Sequence, residues 1–266
     1  MEKQSIRSLK EKKRNKIPLV ALTCYDAFSA QLIDQLGVDI ALVGDSLANT
    51  RLGYPNTIPV TIEEMLHHVK ASSRGIKNAL LVADMPFMSY EMAPWEAAKT
   101  AGKFIKSGGA QAVKVEGGKR IGPSIKAILE ANIPVMGHLG LTPQSINIDG
   151  GYRVHGKTTA EAKLIEKDAL YLQSLGVFSI VLEGIPELLA KKITKLLKIP
   201  TIGIGAGIHC DGQILVLDDV LGFNNTPVPK FVKKYAQIRP LMEKALERFK
   251  NDVLNRQFPG KENSYH

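Results

Sequence analysis

The chain has 266 residues, 44% hydrophobic and 23% charged, a balance that excludes a disordered or fibrous protein and allows one or two globular domains. Its net charge of +9 is concentrated in segments 10–16 and 191–198; no basic stripe carries interleaved aromatics, so the excess implies solubility or attraction for an anionic substrate, not nucleic acid. Two distant cysteines, Cys24 and Cys210, a polar N-terminus without a signal peptide, and no stretch near ~20 apolar residues exclude a disulfide scaffold and imply a cytoplasmic chain with no membrane partner.

Residues 1–17 read as a basic helical lead-in, packed across one end of the domain. A first strand at 19–24 (LVALTC) passes at Tyr25-Asp26 into a helical pattern through Phe28, Ile33 and Leu36, stopped by Gly37. The second strand, 39–43, ends in Gly44-Asp45-Ser46, and a loop with Gly53, Pro55 and Pro59 follows. Thr61 and Glu64 have the spacing of a capping box for a helix to about Arg74. A third strand at 79–83 ends at Asp84-Met85-Pro86, and Pro94 opens a helix that closes near Gly108-Gly109.

The fourth strand lies in 111–118, QAVKVEGG. Alternation puts Ala112, Lys114 and Glu116 on one face and Val113 and Val115 on the other. A buried strand carries a lysine and a glutamate on one face only if they pair internally or serve a function. A helix at 121–131 leads to a fifth strand, 133–137, ending at His138; helix 159–175 leads to a sixth, 178–182, ending at Glu183. Helix 186–197, a seventh strand at 201–204 with Gly205-Ala206-Gly207, an eighth at 213–217, a helix from 230 to 256 and a polar tail complete the chain.

Strands alternating with helices imply parallel pairing. Eight such units in this length imply a single α/β domain over 1–266, a (β/α)8 TIM barrel that commonly runs to ~250 residues, with a doubly wound open sheet as the alternative. Two connections, 44–61 and 138–158, are long enough to be lids or binding loops, and both follow the C-terminal end of a strand, where a barrel builds its active site.

Polar residues cluster at those ends: Asp45, Asp84, Lys114, Glu116, His138 and Glu183. Each carboxylate alone could be a turn former or helix cap; together Asp45, Asp84 and Glu116 suit a hard divalent cation such as Mg²⁺. A chelated carbonyl compound loses its α-proton more readily. Lys114 could then neutralise a substrate carboxylate or a developing enolate, and Glu183, at the apolar strand end SIVLEG, is the candidate general base. His138 could hydrogen-bond to substrate or fix the loop. The GIGAG segment at 203–207 does not fit dinucleotide spacing but could approach an anion through backbone N–H groups. His67 and His68 read as surface residues, and Cys24 as buried filler.

Long collinear motifs carry a resemblance. VGDSL at 43–47, TIPVT at 57–61, LLVADMPFMSY at 80–90, AVKVEGG at 112–118, PVMGHLGLTPQS at 134–145, VLEGIP at 181–186, GIGAG at 203–207 and PKFVKKYA at 229–236 resemble the ketopantoate hydroxymethyltransferase family. The resemblance implies a TIM barrel that transfers a one-carbon unit from 5,10-methylenetetrahydrofolate to 3-methyl-2-oxobutanoate in pantothenate biosynthesis, with Mg²⁺, in a large homo-oligomer that is a decamer in well-known members. It implies metal ligands at Asp45, Asp84 and Glu116, keto-acid contacts at Asp45, Ser46, Asp84 and Lys114, and the general base at Glu183. Ala48-Asn49 departs from the Gly-Met of many members. The rival reading is another Mg²⁺-dependent, enolate-forming barrel lyase or mutase acting on a 2-oxo acid.

Overall fold

The structure is a computed structural model that describes residues 3–223 and 229–265. Eight parallel strands close into a barrel in sequence order: β1 (Leu19–Thr23), β2 (Ile40–Val43), β3 (Leu80–Asp84), β4 (Ala112–Glu116), β5 (Val135–Gly140), β6 (Ser179–Glu183), β7 (Thr201–Ile204) and β8 (Gly212–Leu215), with β1 pairing back onto β8. The helices are α1 (Ile6–Arg14), α2 (Ala27–Gln35), α3 (Leu47–Thr50), α4 (Ile62–Ser73), α5 (Pro94–Lys106), α6 (Gly122–Glu130), α7 (Ile146–Asp149), α8 (Thr159–Leu175), α9 (Glu187–Leu196), α10 (Leu217–Leu221) and α11 (Ile238–Leu254). The expected TIM barrel is the fold. By contact the chain groups into two compact units, residues 1–216 and 217–266.

Alternation sets what fills the barrel. Leu19, Ala21, Ile40, Leu42, Leu80, Val82, Ala112, Met136, Val181, Ile202 and Ile214 form one buried cluster inside it, the layered side-chain filling that makes such a barrel a core and not a pore. Val113 and Val115, on the other face of β4, are buried as well, because strands covered by crossover helices are apolar on both faces.

The N-terminal lead-in is a stopper for the barrel's lower end. Leu9 of α1, fully buried, joins the interior cluster, and Ile6 packs against it. Lys12 pairs with Asp39 at the entry to β2, and Lys13 lies 2.7 Å from Asp211 at the entry to β8. Asp211 also accepts hydrogen bonds from the Thr201 backbone N–H (2.8 Å) and hydroxyl (3.0 Å). Part of the basic charge near the N-terminus is therefore structural.

Several boundaries differ from expectation, three of them with a clear physical cause. The fifth strand begins after Pro134, which has no N–H to give a ladder, and runs on to Gly140, so His138 lies within it and not at its end. The eighth strand stops at Leu215; Leu217 opens α10, whose first turn carries Asp218 and Asp219, the charge sign a helix N-terminus favours. In the 217–266 unit the long helix starts at Ile238 and not at 230, because Pro240 is tolerated only in the first turn of a helix. The two long connections are partly helical, carrying α3 and α7.

Candidate active site

Strand register assembles the site. Asp84 on β3 is the lateral partner of Lys114 on β4, and Glu116 on β4 is that of His138 on β5. All four project inward at the C-terminal mouth, so neighbours in register become neighbours in chemistry. Lys114 Nζ lies 2.8 Å from Asp84 Oδ1 and 3.3 Å from both Glu116 Oε1 and His138 Nδ1. Asp45, two residues beyond β2, reaches the same group, its backbone N–H donating to Asp84 Oδ2 at 3.2 Å. Asp45, Asp84, Lys114, Glu116 and His138 are all buried.

Opposite them stands Glu183 at the end of β6, partly exposed, its Oε2 3.2 Å from His138 Nε2. Its position depends on a close crossing: Leu141 donates its backbone N–H to the Glu183 carbonyl at 2.8 Å, beside Gly140. A Cβ on Gly140, whose φ is +97°, would stand 2.1 Å from that carbonyl oxygen, so only glycine lets the β5 turn pass there. Ser46 lines the same mouth, its hydroxyl 2.8 Å from that of Tyr25. Tyr25 is held in turn by His68, whose Nδ1 lies 2.6 Å from the Tyr25 carbonyl oxygen; His68 is thus a structural residue behind the mouth.

The electrostatics are those of a cluster short of positive charge. Burial, then the nearby Asp84 and Glu116, push the Asp45 carboxyl well above its ordinary range. Burial also raises Asp84, against the pull of Lys114. Burial opposes ionisation of Glu116, but Lys114 and His138 outweigh it and bring its pKa down to about 2. Burial disfavours the Lys114 ammonium, yet Asp84, Glu116 and Asp45 more than compensate and raise its pKa. His138 is lowered by burial and Lys114 but lifted to about 9 by Glu116 and Glu183. Four carboxyl groups therefore gather round one ammonium and one imidazolium.

Ligand oxygens of Asp45, Asp84 and Glu116 lie within 4.8 Å of one another. Three hard oxygen donors in a buried, cation-poor cluster fit a divalent ion with open positions for water and substrate. The mouth encloses about 110 Å³ and is lined by Asp45, Ser46, Asp84, Lys114, Glu116, His138 and Glu183 among others, so every expected site residue converges on it. A wider, shallow groove of about 600 Å³ runs along α1 past Arg7, Lys10, Arg14 and Lys198; these side chains are exposed, without the convergent polar groups that mark a site.

Two residues that strand-end reasoning missed are built into the cluster, Tyr90 from the loop after β3 and Gln144 from the loop after β5. Both are buried. Gln144 Nε2 donates to Asp45 Oδ2 at 2.9 Å, and its backbone N–H to Glu116 Oε2 at 3.1 Å. The sequence signal was Thr142-Pro143: proline opens a short 3-10 turn, Pro143–Ser145, that turns Gln144 inward. Cys24 is fully buried, and burial pushes its thiol up to about 12, as expected of packing and not of a nucleophile.

Barrel and mouth together define the class: a (β/α)8-barrel protein with a carboxylate-rich candidate divalent-metal site at the C-terminal ends of its strands. Solved structures agree on the fold. A 2,3-dimethylmalate lyase of the PEP mutase/isocitrate lyase superfamily matches with a TM-score of 0.63 and 18% identity, covering 94% of this chain and 89% of that one. A phosphonopyruvate hydrolase solved with oxalate and Mg²⁺ matches at 0.63 and 12% identity, covering 98% and 93%.

The particular family comes from sequence. The model for ketopantoate hydroxymethyltransferase matches residues 3–261, and the chain belongs to that family. Relatives named 3-methyl-2-oxobutanoate hydroxymethyltransferase include one from Carboxydothermus hydrogenoformans, 49% identical across all of this chain and 96% of its own length. One from Syntrophobacter fumaroxidans is 52% identical over 95% of this chain and 89% of its own. Among the described residues, no helix is long and apolar enough to cross a membrane.

Proposed function

We propose that the protein transfers a hydroxymethyl group from 5,10-methylenetetrahydrofolate to 3-methyl-2-oxobutanoate, giving 2-dehydropantoate in pantothenate biosynthesis, with Mg²⁺ held by Asp45, Asp84 and Glu116. The observation that carries this reading is the buried carboxylate triad around Lys114, with Glu183 across the same mouth. A divalent ion held there would polarise the carbonyl of a bound 2-oxo acid and make its C3 proton more acidic.

Glu183 takes that proton, being the partly exposed carboxylate of the group at the mouth. Lys114 places its ammonium toward the substrate's negative charge and the enolate that forms. Asp45, Ser46, Asp84 and Lys114 hold the keto acid, and His138, its ring against Glu183, keeps the base turned to the mouth. Water hydrolyses the iminium form of the folate to the tetrahydrofolate amine and formaldehyde, and the C3 carbanion adds to that carbonyl carbon, its oxygen taking up a proton to become the new hydroxyl.

A mouth of about 110 Å³ suits a small acid and is well below the ~300–1,000 Å³ of sites that enclose larger ligands. The folate therefore approaches from the open side, against the loops at 44–61 and 138–158. In the 217–266 unit, Met242, Leu246, Phe249 and Val253 form an exposed apolar stripe on α11, which supports a homo-oligomer; sedimentation of the full chain tests it.

Deuterium exchange at C3 of 3-methyl-2-oxobutanoate, followed without folate, tests the chemistry. Glu183→Gln is expected to abolish exchange while Mg²⁺ binding persists. Unchanged exchange removes Glu183 from the role of base. Product formation that needs methylenetetrahydrofolate separates this reading from a Mg²⁺-dependent lyase or mutase on the same barrel.

A further inference from the structure

The carboxylates that gather at the mouth come from different strands, and something must fix their spacing against mutual repulsion. Gln144 is placed to do so. Its amide oxygen accepts from the Tyr90 hydroxyl at 2.7 Å, which orients the NH2 group; the two amide hydrogens go to the Met85 carbonyl at 3.0 Å and to Asp45 Oδ2 at 2.9 Å. The backbone N–H of the same residue holds Glu116 Oε2 at 3.1 Å. The circuit closes through Tyr90, whose hydroxyl accepts the backbone N–H of Glu116 at 3.1 Å. One residue in the β5 loop thus holds a carboxylate from beyond β2 with its side chain and another from β4 with its main chain.

We propose that Gln144, oriented by Tyr90, is a positioning residue that holds Asp45 and Glu116 at metal-binding separation and turns one oxygen of Asp45 toward the ion. The proposal deepens the reading of Asp45, Asp84 and Glu116 as ligands and rests on it. With Oδ2 of Asp45 committed to the amide, Oδ1 is the atom left to face the centre of the triad. The donors also offset part of the cost of burying charge: a carboxylate in a low-dielectric site is tolerated when its lone pairs are satisfied. Neither Tyr90 nor Gln144 is itself a member of the triad, so they act through the ligands.

The test uses the full-length chain and free Mn²⁺ counted by its EPR signal, a readout independent of turnover. Gln144→Met keeps the length of the side chain and the main-chain bond to Glu116 but removes the amide. It is expected to weaken Mn²⁺ binding about tenfold to a hundredfold, the usual scale for a group that orients a ligand. Tyr90→Phe keeps the amide and removes its anchor, and is expected to weaken binding severalfold in the same direction. Asp84→Asn is the control for the ligand reading: Mn²⁺ binding undiminished in that variant means the triad does not hold the metal. If Asp84→Asn abolishes binding while both other variants fold and bind Mn²⁺ like the parent, the positioning role is wrong. A lower melting temperature with unchanged Mn²⁺ affinity likewise makes the pair merely structural and overturns the proposal. If Gln144→Met does not fold, Tyr90→Phe alone decides.

Discussion

His138 Nε2 stands 3.2 Å from Glu183 Oε2, while the other ring nitrogen stands 3.0 Å from Glu116 Oε1. One imidazole therefore joins the carboxylate assigned as base to a carboxylate assigned as metal ligand. Both nitrogens stand beside protein carboxylates. Replacing the ring with an amide in His138→Gln keeps volume but cannot span both partners. The rate of C3 exchange is expected to fall about tenfold to a hundredfold, the scale of lost ligand-orienting contacts. Exchange monitored by NMR at the parent rate would make the ring dispensable.

The same residue makes metal-free stability depend on pH. Its folded pKa is raised from 6.5 to about 9, since Glu116 and Glu183 outweigh burial and Lys114. A base raised on folding stabilises fully below its unfolded pKa and loses that contribution as pH rises through the folded value. In EDTA, the melting-temperature advantage of the parent over His138→Gln should be largest near pH 6 and disappear above about pH 9. A gap that widens with pH in calorimetry contradicts the imidazolium assignment.

Lys114 is the ammonium on which the three triad carboxylates depend in the absence of metal. Lys114→Met leaves Asp84 and Glu116 buried without it, and losing one partner of a buried pair costs about 3–5 kcal/mol. A divalent ion at the triad replaces part of the missing charge, so added Mg²⁺ should raise the melting temperature of Lys114→Met more than that of the parent. Equal Mg²⁺ shifts in the two proteins would detach Lys114 from the metal site.

Away from the mouth, Leu9 seals the opposite end of the barrel from α1, fully buried among Leu19, Ala21 and their neighbours. Leu9→Ala removes that side chain from a packed interior and should cost about 3 kcal/mol in urea unfolding, as buried leucine truncations do. Values of kcat and KM should stay at those of the parent, because the change is at the far end of the strands.

How much of this was legible follows from range. The barrel was, because each β/α unit announces itself locally: Pro94 and the Thr61–Glu64 capping box start helices where the structure starts them. The set of strand-end residues was legible too, since parallel closure sends every C-terminal end to one mouth. Lys114 and Glu116 showed themselves by sitting on one face of an otherwise apolar strand. What failed was whatever proline or tertiary pairing decides: the start of β5 after Pro134 and of α11 just before Pro240. Gln144 and Tyr90 escaped because their loops belong to no periodic pattern; their importance is a set of hydrogen bonds to residues 99 and 26 positions away.

As a proposed metal ligand, Asp45 should set the pH dependence of metal binding. Burial and the neighbouring Asp84 and Glu116 raise its carboxyl well above the usual range, so the metal-free folded protein retains a proton that the unfolded chain gives up near pH ~3.9. An acid raised on folding destabilises the fold as pH climbs above that unfolded value, and the cost is complete only beyond the folded pKa. Metal and proton compete for the same oxygens, so ligand binding must release the proton. Affinity for Mn²⁺ should rise with pH until Asp45 ionises unaided, by up to about tenfold per pH unit while one proton is displaced. Titration calorimetry in two buffers of different ionisation enthalpy reads the released proton directly. Identical heats in both buffers, with an affinity that does not change with pH, would show that Asp45 is already ionised before the metal arrives.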